Sequence, residues 1–427
     1  MTAFVFLILF AFLIVGVPIG IALGCAVTVS MWKNGQAKMF VSIPQRIFTQ
    51  TDNFPLMAVP LFILGGNIME KGGISKRLIA FLQILLRRLA ARLACICVVA
   101  SAFFGAISGS NPATVAAIGG IMYPHMIERG YPSDVAAAIA ATSGTLGVVI
   151  PPSIPMVTYA ITASVSIGTM FMAGVVPGLL LALSLCIANI ICNKKYDAPD
   201  KTKISGKEVF LTFKDAILAL LMPLIILGGI YGGFFTPTEA AAVASGYALI
   251  ISVFVYKEVN FAVLADIFKS SALSASIVMF VIGMSAPFAW FLTSNNIPAL
   301  LAKSILSIFS SRFALVIMAN VVLLFLGCFL ETQSIILLCT PVFVALAPSM
   351  GMTAEELGIL IVVNTSIGMI TPPMGVNLFV ACGLSGESLE SVSRRLLPYL
   401  AAEVIVLLAI SYFPIIISAL PRAMGLM

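Results

Sequence analysis

The sequence has very few charged residues. Only 9% of its 427 residues are charged, 17 acidic and 23 basic, while 61% are hydrophobic. A soluble domain carries about 25% charged residues because its surface must be covered with polar groups. The shortage excludes a soluble enzyme, a secreted disulfide scaffold, a disordered chain and a nucleic-acid-binding protein. It predicts an all-α polytopic membrane protein, since the apolar stretches run unbroken instead of alternating with period two.

The chain also lacks the motifs of an ATP-driven or catalytic protein. It contains no GxxxxGK[ST] motif and no long polar segment that suits a nucleotide-binding domain. It has a single histidine, His125, and no Ser/His/Asp or paired-carboxylate set. We therefore predict no enzyme activity, no cofactor and no resident metal site of His and Cys ligands. Energy for uphill transport must come from an ion gradient or from another subunit.

Long apolar segments predict the membrane layout. Two interrupted spans, 135–163 and 355–383, each contain a Pro-Pro pair. The segments 93–123 and 313–346 have polar, Gly or Pro residues near their middle, which predicts re-entrant hairpins. Continuous spans are predicted at 3–31, 53–69, 168–192, 215–233, 239–256, 273–293 and 392–420.

Basic residues predict the orientation. If the N-terminus is cytoplasmic, the inside loops hold 17 of the 23 Lys and Arg residues and the outside segments hold 6. This bias follows the positive-inside rule, although the outside loop 32–52 carries three basic residues. The count predicts a cytoplasmic N-terminus and a C-terminus on the opposite side of the membrane. The predicted inside loops are 70–92, 124–134, 193–214, 257–272 and 384–395.

The first inside loop has an amphipathic pattern. Apolar residues from Ile74 to Leu89 recur at helical spacing opposite five basic residues, which predicts a helix lying in the membrane interface. A weaker copy runs from Phe261 to Lys269. The polar stretch 193–208 divides the chain near its middle.

Two segments reveal an internal repeat. TSGTLGVVIPPSIPM aligns with NTSIGMITPPMGVNL at an offset of 221 residues, so that Pro151-Pro152 falls on Pro372-Pro373. A predicted hairpin precedes each pair, and the topology places the ends of the two hairpins on opposite sides. The pattern predicts an inverted repeat, which is a common ground plan of secondary transporters.

The residues beside the two breaks suit a monovalent cation. Proline removes a backbone N–H, so a Pro-Pro pair inside a span leaves carbonyl oxygens that persist only within protein or in a wet cavity. With nearby hydroxyls and amides they form an oxygen cage, and we expect one sodium site per half. The expected ligands are Ser108, Ser110, Asn111, Thr142, Ser143 and Thr145 in the first half, and Gly327, Thr332, Asn364, Thr365, Ser366 and Gly368 in the second.

The hairpin tips are also candidates for anion binding, because helix N-termini carry free N–H groups. Asn111 suits an N-cap with Pro112 at the first helical position, and Thr332 suits the same role in the second half. A substrate held in this way needs few full positive charges. The predicted substrate-binding residues are Ser110, Asn111, Pro112, Thr332, Gln333 and Asn377.

Three acidic residues lie in apolar surroundings. Glu239 follows Thr236 in TPTEAAA, which is typical of a helix-starting cap. Glu331, at the second tip, fits a functional role and a hairpin cap equally well. Glu403 in the last span favours an interhelical hydrogen bond. Because a buried acid in a membrane is a functional candidate, proton coupling stays open beside sodium coupling.

Several segments together resemble the large membrane subunit of TRAP (tripartite ATP-independent periplasmic) transporters, the DctM-like family. They are spread along nearly the whole chain. The segments that carry the resemblance are DNFPLMAVPLFILGGNIMEKGGI, GAISGSNPATVAAIGGIMYPHMIERGY, GVVIPPSIPMVTYA, GGIYGGFFTPTEAAAVA and GMITPPMGVNLFVACG.

The resemblance implies partners and a mechanism. Such subunits work with a small four-helix membrane subunit, expected here as a separate chain, and with a periplasmic substrate-binding protein. They import organic anions such as C4-dicarboxylates or sialic acids with sodium, by an elevator movement of one domain against a scaffold. The implied division is scaffold 1–70, arm helix 71–92, transport domain 93–192, linker 193–214, scaffold with a second arm helix 215–312, transport domain 313–420 and tail 421–427.

Other functions remain open at this point. A stand-alone ion-coupled anion transporter or antiporter of a related inverted-repeat fold would share most of these features. A channel is disfavoured because two occluding hairpins suit alternating access. An intramembrane enzyme is disfavoured because no catalytic set is present.

Overall fold

The structure is a computed structural model that describes residues 2–199, 205–309 and 311–427. Part of the predicted linker 193–214 and one position of the predicted scaffold segment 215–312 lie outside these residues. Every regular element in the described ranges is helical. Within these described ranges, seven helices are long and apolar enough to cross a membrane, or up to nine if each bent helix pair counts as one span.

The helices of the first half end at the polar linker. In chain order they are α1 (Thr2–Ile14), α2 (Ile19–Lys33), α3 (Ser42–Thr51), α4 (Ala58–Lys71), α5 (Ile74–Leu85), α6 (Arg92–Ser108), α7 (Asn111–Thr114), α8 (Gly120–Glu128), α9 (Ser133–Ser143), α10 (Leu146–Val149), α11 (Ile154–Ala163) and α12 (Ile167–Asn193).

The second half begins with four helices that correspond to the predicted scaffold. Its helices are α13 (Gly206–Tyr231), α14 (Pro237–Ile250), α15 (Phe261–Ser294), α16 (Ile297–Ile308), α17 (Arg312–Phe329), α18 (Thr332–Leu346), α19 (Ala354–Gly368), α20 (Val376–Ser385), α21 (Leu389–Tyr412) and α22 (Ile415–Ala423). The predictions contained no helix at the position of α16.

The predicted single span 3–31 is wrong. Gly16, with φ +86°, and Pro18 end one helix and start the next, so the segment forms two short helices that pack against each other. The Nζ of Lys33, at the end of α2, lies 3.6 Å from the ring centroid of Phe4 at the start of α1. The two helices are therefore antiparallel, and the N-terminus lies at the same end of the molecule as the loop 32–52. The prediction that these two segments face opposite sides is corrected.

The predicted inside loops meet at one end of the molecule, which we call the basic end. Each loop contacts another, so the loops assigned to the cytoplasm from charge alone share one end. The connecting contacts are Arg77–Glu258 and Phe81–Phe213, and Arg129–Asp197 and Asp134–Arg395.

The amphipathic segment forms a shorter helix than predicted. It is helical over Ile74–Leu85, and the chain then turns before α6 begins at Arg92. The weaker copy at Phe261 is not a separate helix, because α15 continues without a break through the predicted span to Ser294. One helix of 34 residues therefore covers both predicted segments.

Both predicted hairpins are present, with tips between α6 and α7 and between α17 and α18. α6 starts at the basic end beside Asp197, whereas α17 starts at the opposite end, where the Nε of Arg312 donates to the Met350 carbonyl oxygen. The hairpins thus enter from opposite ends and their tips meet midway.

Each hairpin is followed by a broken helix. In the first, α9–α10 and α11 are bent by 41° at the break, and in the second the break separates α19 from α20. Both Pro-Pro peptide bonds are cis. The broken helices form the centre of the molecule, since every residue of 135–149 and of 356–368 is buried.

A buried ion-pair cluster fastens the first hairpin at the basic end. The carboxylate of Asp197 is fully buried; it accepts from the Leu93 N–H at 2.9 Å and from Arg129 Nε at 3.3 Å. The Ala91 N–H donates to the Asp197 carbonyl oxygen at 2.9 Å. One residue thereby connects both ends of the hairpin to the segment after α12.

We expect Asp197→Asn to destabilise the protein strongly. Removing the charge leaves the half-exposed Arg129 without its carboxylate partner and weakens the hydrogen bond from the buried Leu93 N–H, at a cost of about 1–3 kcal/mol. The thermal unfolding midpoint of the detergent-solubilised protein measures the loss. Glu390→Gln, which removes an exposed partner of Arg394, is the matched control; an equal shift in both variants would contradict the prediction.

Candidate substrate and ion site

A cavity of about 280 Å³ lies between the two hairpin tips, α4 and α15. The tips contribute polar residues from both halves of the repeat, while α4 and α15 form the opposite wall. Its polar lining residues are Asn67, Glu70, Ser108, Ser110, Asn111, Ser274, Glu331, Thr332 and Gln333. Five of the six predicted substrate-binding residues therefore line one cavity, and Asn377 is the exception.

Asn111 joins the first tip to both broken helices. Its Oδ1 accepts from the Val148 N–H at 2.9 Å, beside the first break. Its Nδ2 donates to the Ser366 hydroxyl at 2.7 Å, in the second broken helix, and lies 3.6 Å from Met369 Sδ. The side chain is fully buried, so its hydrogen bonds fix the tip against both halves of the repeat.

The two breaks contact each other through equivalent residues. The Ser366 hydroxyl donates to the Thr145 carbonyl oxygen at 2.7 Å, across the repeat offset of 221. The Thr145 hydroxyl lies 2.7 Å from the Thr142 carbonyl oxygen and 2.5 Å from Glu403 Oε1. The interhelical hydrogen bond predicted for Glu403 is therefore present.

The second tip is held by similar contacts. The Gly375 N–H, just after the second break, donates to the Cys328 carbonyl oxygen at 3.0 Å. The Thr332 hydroxyl lies 3.4 Å from Met369 Sδ, and Gln333 Nε2 donates to the Thr158 hydroxyl at 2.9 Å. Gln333 thus connects the second tip to α11 of the first half.

The helix starts differ by one residue from the predicted caps. Ser110 and Glu331 occupy the N-cap positions, so Asn111 and Thr332 are the first helical residues. Neither Ser110 nor Glu331 makes a side-chain cap hydrogen bond, and Glu331 faces the cavity instead. Glu239, by contrast, forms the predicted capping box with Thr236.

Some predicted ligands lie away from the tips. Asn364 Nδ2 donates to Asn320 Oδ1 at 2.7 Å and is held on α17. Asn377 Nδ2 donates to the Ala141 carbonyl oxygen at 3.4 Å, beyond the second break. The hydroxyls of Thr142 and Thr365 bond carbonyls of their own helices. Ser143 is buried within α9, on the side of Cys97 in α6. The structure therefore does not bring these five side chains to the tips.

Sequence reasoning missed the scaffold wall of the cavity. Asn67 and Glu70 end α4, and Ser274 lies on α15; the Nδ2 of Asn67 donates to the Ser271 hydroxyl at 2.8 Å. These residues carry no motif, because their meeting depends on packing between helices about 200 positions apart. Met369, which contacts both tips, was missed because thioethers were not weighed as polar contacts.

Paired glycines let each hairpin approach its break. A Cβ on Gly105 would lie 2.8 Å from Gly147 Cα, and one on Gly368 would lie 2.5 Å from Gly327 Cα. The same contact therefore occurs in both halves. Gly327 and Gly368 were predicted as ion ligands, and here they bring the carbonyl-bearing backbones together.

Gly368→Ala is expected to separate the second hairpin from its break. A methyl group against backbone forces a shift that costs about 1–3 kcal/mol, and uptake should fall with it. Gly383→Ala in α20, where a Cβ meets nothing within 4 Å, is the control and should gain up to about 1 kcal/mol of helix stability. Thermal unfolding and initial uptake rates measure both; wild-type uptake by Gly368→Ala would contradict the prediction.

The cavity can bind a small polar molecule and cations by oxygen donors. Hydroxyls, amides and backbone carbonyls are the ligand type that sodium accepts, and groups of three or more His, Cys, Asp or Glu are absent from the described residues. The residues lining the cavity include two carboxylates and no lysine or arginine. An anion here depends on N–H groups at the helix starts and on accompanying cations.

The comparisons with known proteins agree with this geometry. The sequence matches the family described as tripartite ATP-independent periplasmic transporter, DctM component, over residues 6–416. It is 40% identical to the isethionate TRAP transporter permease protein DctMQ of Oleidesulfovibrio alaskensis over 95% of this chain, which spans 64% of that relative's length. It is 39% identical to the C4-dicarboxylate TRAP transporter large permease protein DctM of Pseudomonas aeruginosa, covering 90% of each chain.

One further relative and one solved structure are similar to this chain. The chain is 34% identical to the sialic acid TRAP transporter large permease protein SiaM of Vibrio cholerae, covering 96% of each chain. Its fold is similar to that of the Alcanivorax borkumensis YdaH transporter, with a TM-score of 0.62 at 15% identity over 90% of this chain and 89% of the other.

The fold and the site define a multi-pass membrane transport protein. The chain belongs to the tripartite ATP-independent periplasmic transporter family, as a DctM component or large permease. The family membership indicated by the sequence segments is confirmed. The relatives of the chain named above are permease components of transporters.

Proposed function

We propose that this chain is the large membrane subunit of a sodium-driven TRAP system that imports a small organic anion across a bacterial inner membrane. The cavity between the two hairpin tips is the observation that carries the proposal. Its volume of about 280 Å³ is at the small end of ligand pockets, which favours an acid of C4-dicarboxylate or isethionate size over sialic acid. Relatives named for all three substrates support an organic anion as the class.

Sodium is the proposed coupling ion. Asn111 and Thr332 line the cavity, and the contact between Thr145 and Ser366 lies directly behind them. A cation at each junction would partly neutralise an anion held between the tips, so that binding of either favours binding of the other. The hydroxyl, amide and carbonyl oxygens at the two junctions are ligands that sodium accepts. The proton is the second candidate for the coupling ion, because Glu403 is a buried acid beside Thr145.

An elevator movement is the proposed mechanism. The hairpins and broken helices contact one another through hydrogen bonds, and the cavity lies between their tips and the wall formed by α4 and α15. The first tip also packs on this wall where Ser108 approaches Gly66 of α4. Such an arrangement lets the two hairpins and the two broken helices move together past α4 and α15, which stay in place as the scaffold wall. The predicted domain division fits this mechanism and stays a prediction.

We infer that the basic end faces the cytoplasm, as the positive-inside rule directs. Because α1 and α2 are antiparallel, the N-terminus then faces the periplasm, as does the C-terminus after α22. The proposed partners are a small four-helix membrane subunit and a periplasmic substrate-binding protein, as in the tripartite family.

Uptake by the complete system tests the proposal. The chain is reconstituted with its small membrane subunit and binding protein, and accumulation of labelled succinate, isethionate and N-acetylneuraminate is measured with inward gradients of sodium or protons. Sodium-dependent accumulation of at least one acid is expected. Accumulation driven only by protons would overturn sodium coupling, and no accumulation of any organic acid would overturn the function.

A stand-alone carrier is the second candidate, supported by the cavity between the tips, whose lining residues all belong to this chain. Transport by this chain without a membrane partner or binding protein would establish it. Co-purification with a four-helix subunit, and loss of uptake when that subunit is omitted, would exclude it.

A further inference from the structure

A second cavity of about 570 Å³ opens at the end opposite the basic end. It lies between α3 and α15 on one side and the end of α11 and Leu337 of α18 on the other. Its lining residues are Ser42, Gln45, Arg46, Thr49, Gln50, Ile161, Thr162, Ser285, Ala286, Ala289, Trp290, Thr293 and Leu337. We call it the upper cleft.

The upper cleft is lined by one basic side chain, that of Arg46, among side chains that can form hydrogen bonds. Arg46 is exposed, and its guanidinium lies 4.4 Å from the Trp290 ring centroid. Its guanidinium has no carboxylate partner in the described ranges of the chain. A guanidinium stacked on an aromatic ring keeps its planar set of donors for a carboxylate or sulfonate. The amides and hydroxyls beside it add neutral donors.

The upper cleft and the cavity between the tips share one wall. Ser274 and Val278 of α15 line the cavity between the tips, and Ser285 and Ala289 line the upper cleft. At 3.6 residues per turn these four positions fall within about 60° of one face of the helix. Ile277 and Ala289, one lining each space, are separated by about 18 Å along the helix axis.

We propose that the upper cleft is the scaffold half of the outward-facing substrate site, with Arg46 as the residue that binds the acid group of the arriving anion. The inference rests on the proposed function and adds a binding residue to it. Movement of the tips by about 18 Å along α15 would bring Asn111 and Thr332 from the level of Ile277 to the level of Ala289, beside Arg46 and Trp290.

The charges of the fixed wall support this assignment. The scaffold residue with a charge in the upper cleft is Arg46, which is positive. In the cavity between the tips the charged scaffold residue is Glu70, which is an acid. An anion is therefore attracted at the outer position and repelled at the inner one. The scaffold itself thereby favours uptake from outside and release inside.

Replacement of Arg46 tests the assignment in the complete reconstituted system. Arg46→Gln should raise the KM for uptake of the transported acid (succinate, isethionate or N-acetylneuraminate) at least about ten-fold, because a charge-assisted contact is lost. Its maximal rate should change much less. Arg46→Lys should recover part of the affinity, since it keeps the charge but not the planar donors.

Lys38→Gln is the matched control, because Lys38 lies at the same end but does not line the upper cleft. An unchanged KM in Arg46→Gln, or an equal rise in Lys38→Gln, overturns the inference while leaving the proposed function intact. An effect that vanishes at saturating binding protein would assign Arg46 to docking of that protein and also overturns it. No uptake by the wild-type system would instead refute the proposed function.

Discussion

Replacing Asn111 with alanine is expected to lower sodium-driven uptake at least about ten-fold while the protein still folds. The change removes the acceptor of the Val148 N–H and the donor to the Ser366 hydroxyl in one step. The buried Val148 N–H is left without an acceptor, at a cost of about 1–3 kcal/mol, whereas the Ser366 hydroxyl keeps its bond to the Thr145 carbonyl oxygen. A loss of this size in the geometry of the site corresponds to roughly a ten-fold to 100-fold fall in uptake. The tip would also lose its attachment to both broken helices, where the coupling ion is proposed to bind.

The sodium dependence of the remaining uptake separates an ion-site role from a structural one. Initial rates are measured over a range of external sodium for Asn111→Ala and for Asn189→Ala. Asn189 is a buried amide on α12 that bonds Leu185 and Asn193, remote from the tips, so its loss should affect stability without shifting the sodium dependence. A folded Asn111→Ala variant with wild-type sodium dependence would contradict the assignment.

The two hairpin tips and the two helix breaks were predictable from sequence, because each is determined by a few consecutive residues. Pro-Pro pairs inside apolar segments cannot continue a helix, and a Gly-Ser-Asn-Pro tip cannot face lipid. These constraints placed both breaks and both tips correctly. The repeat offset of 221 even aligned Thr145 with Ser366, whose direct hydrogen bond is observed.

The scaffold was less predictable because its signals are long-range. The segment 3–31 is uniformly apolar, and only Gly16 and Pro18 indicate that two antiparallel helices replace one span. The wall residues Asn67, Glu70 and Ser274 meet through packing between distant helices, and polarity alone gave no reason to select them. Asn364 and Asn377 were selected because they lie near the breaks in sequence. Their side chains bond α17 and α9, and their roles as ion ligand and substrate-binding residue stay predictions.

Cross-linking a hairpin to α15 is expected to stop transport. Ala113 of the first hairpin and Ile277 of α15 line the same cavity, so a bifunctional thiol reagent should connect Ala113→Cys to Ile277→Cys. The eight native cysteines are first replaced in a variant that retains uptake. If the hairpins must move along α15, the connected protein should lose nearly all uptake, and a reducible reagent should restore it after reduction.

A second cysteine pair measures the distance of that movement. Ala113→Cys with Ala289→Cys joins the same hairpin to the upper cleft, about 18 Å farther along α15. This pair should connect only when the tips reach the upper position, so external substrate with sodium should change its cross-linking rate. Single-cysteine variants treated with the reagent control for labelling alone. Continued uptake with the Ala113–Ile277 pair fully connected would show that the tips work without sliding, and would remove the basis for placing Arg46 in the outward-facing site.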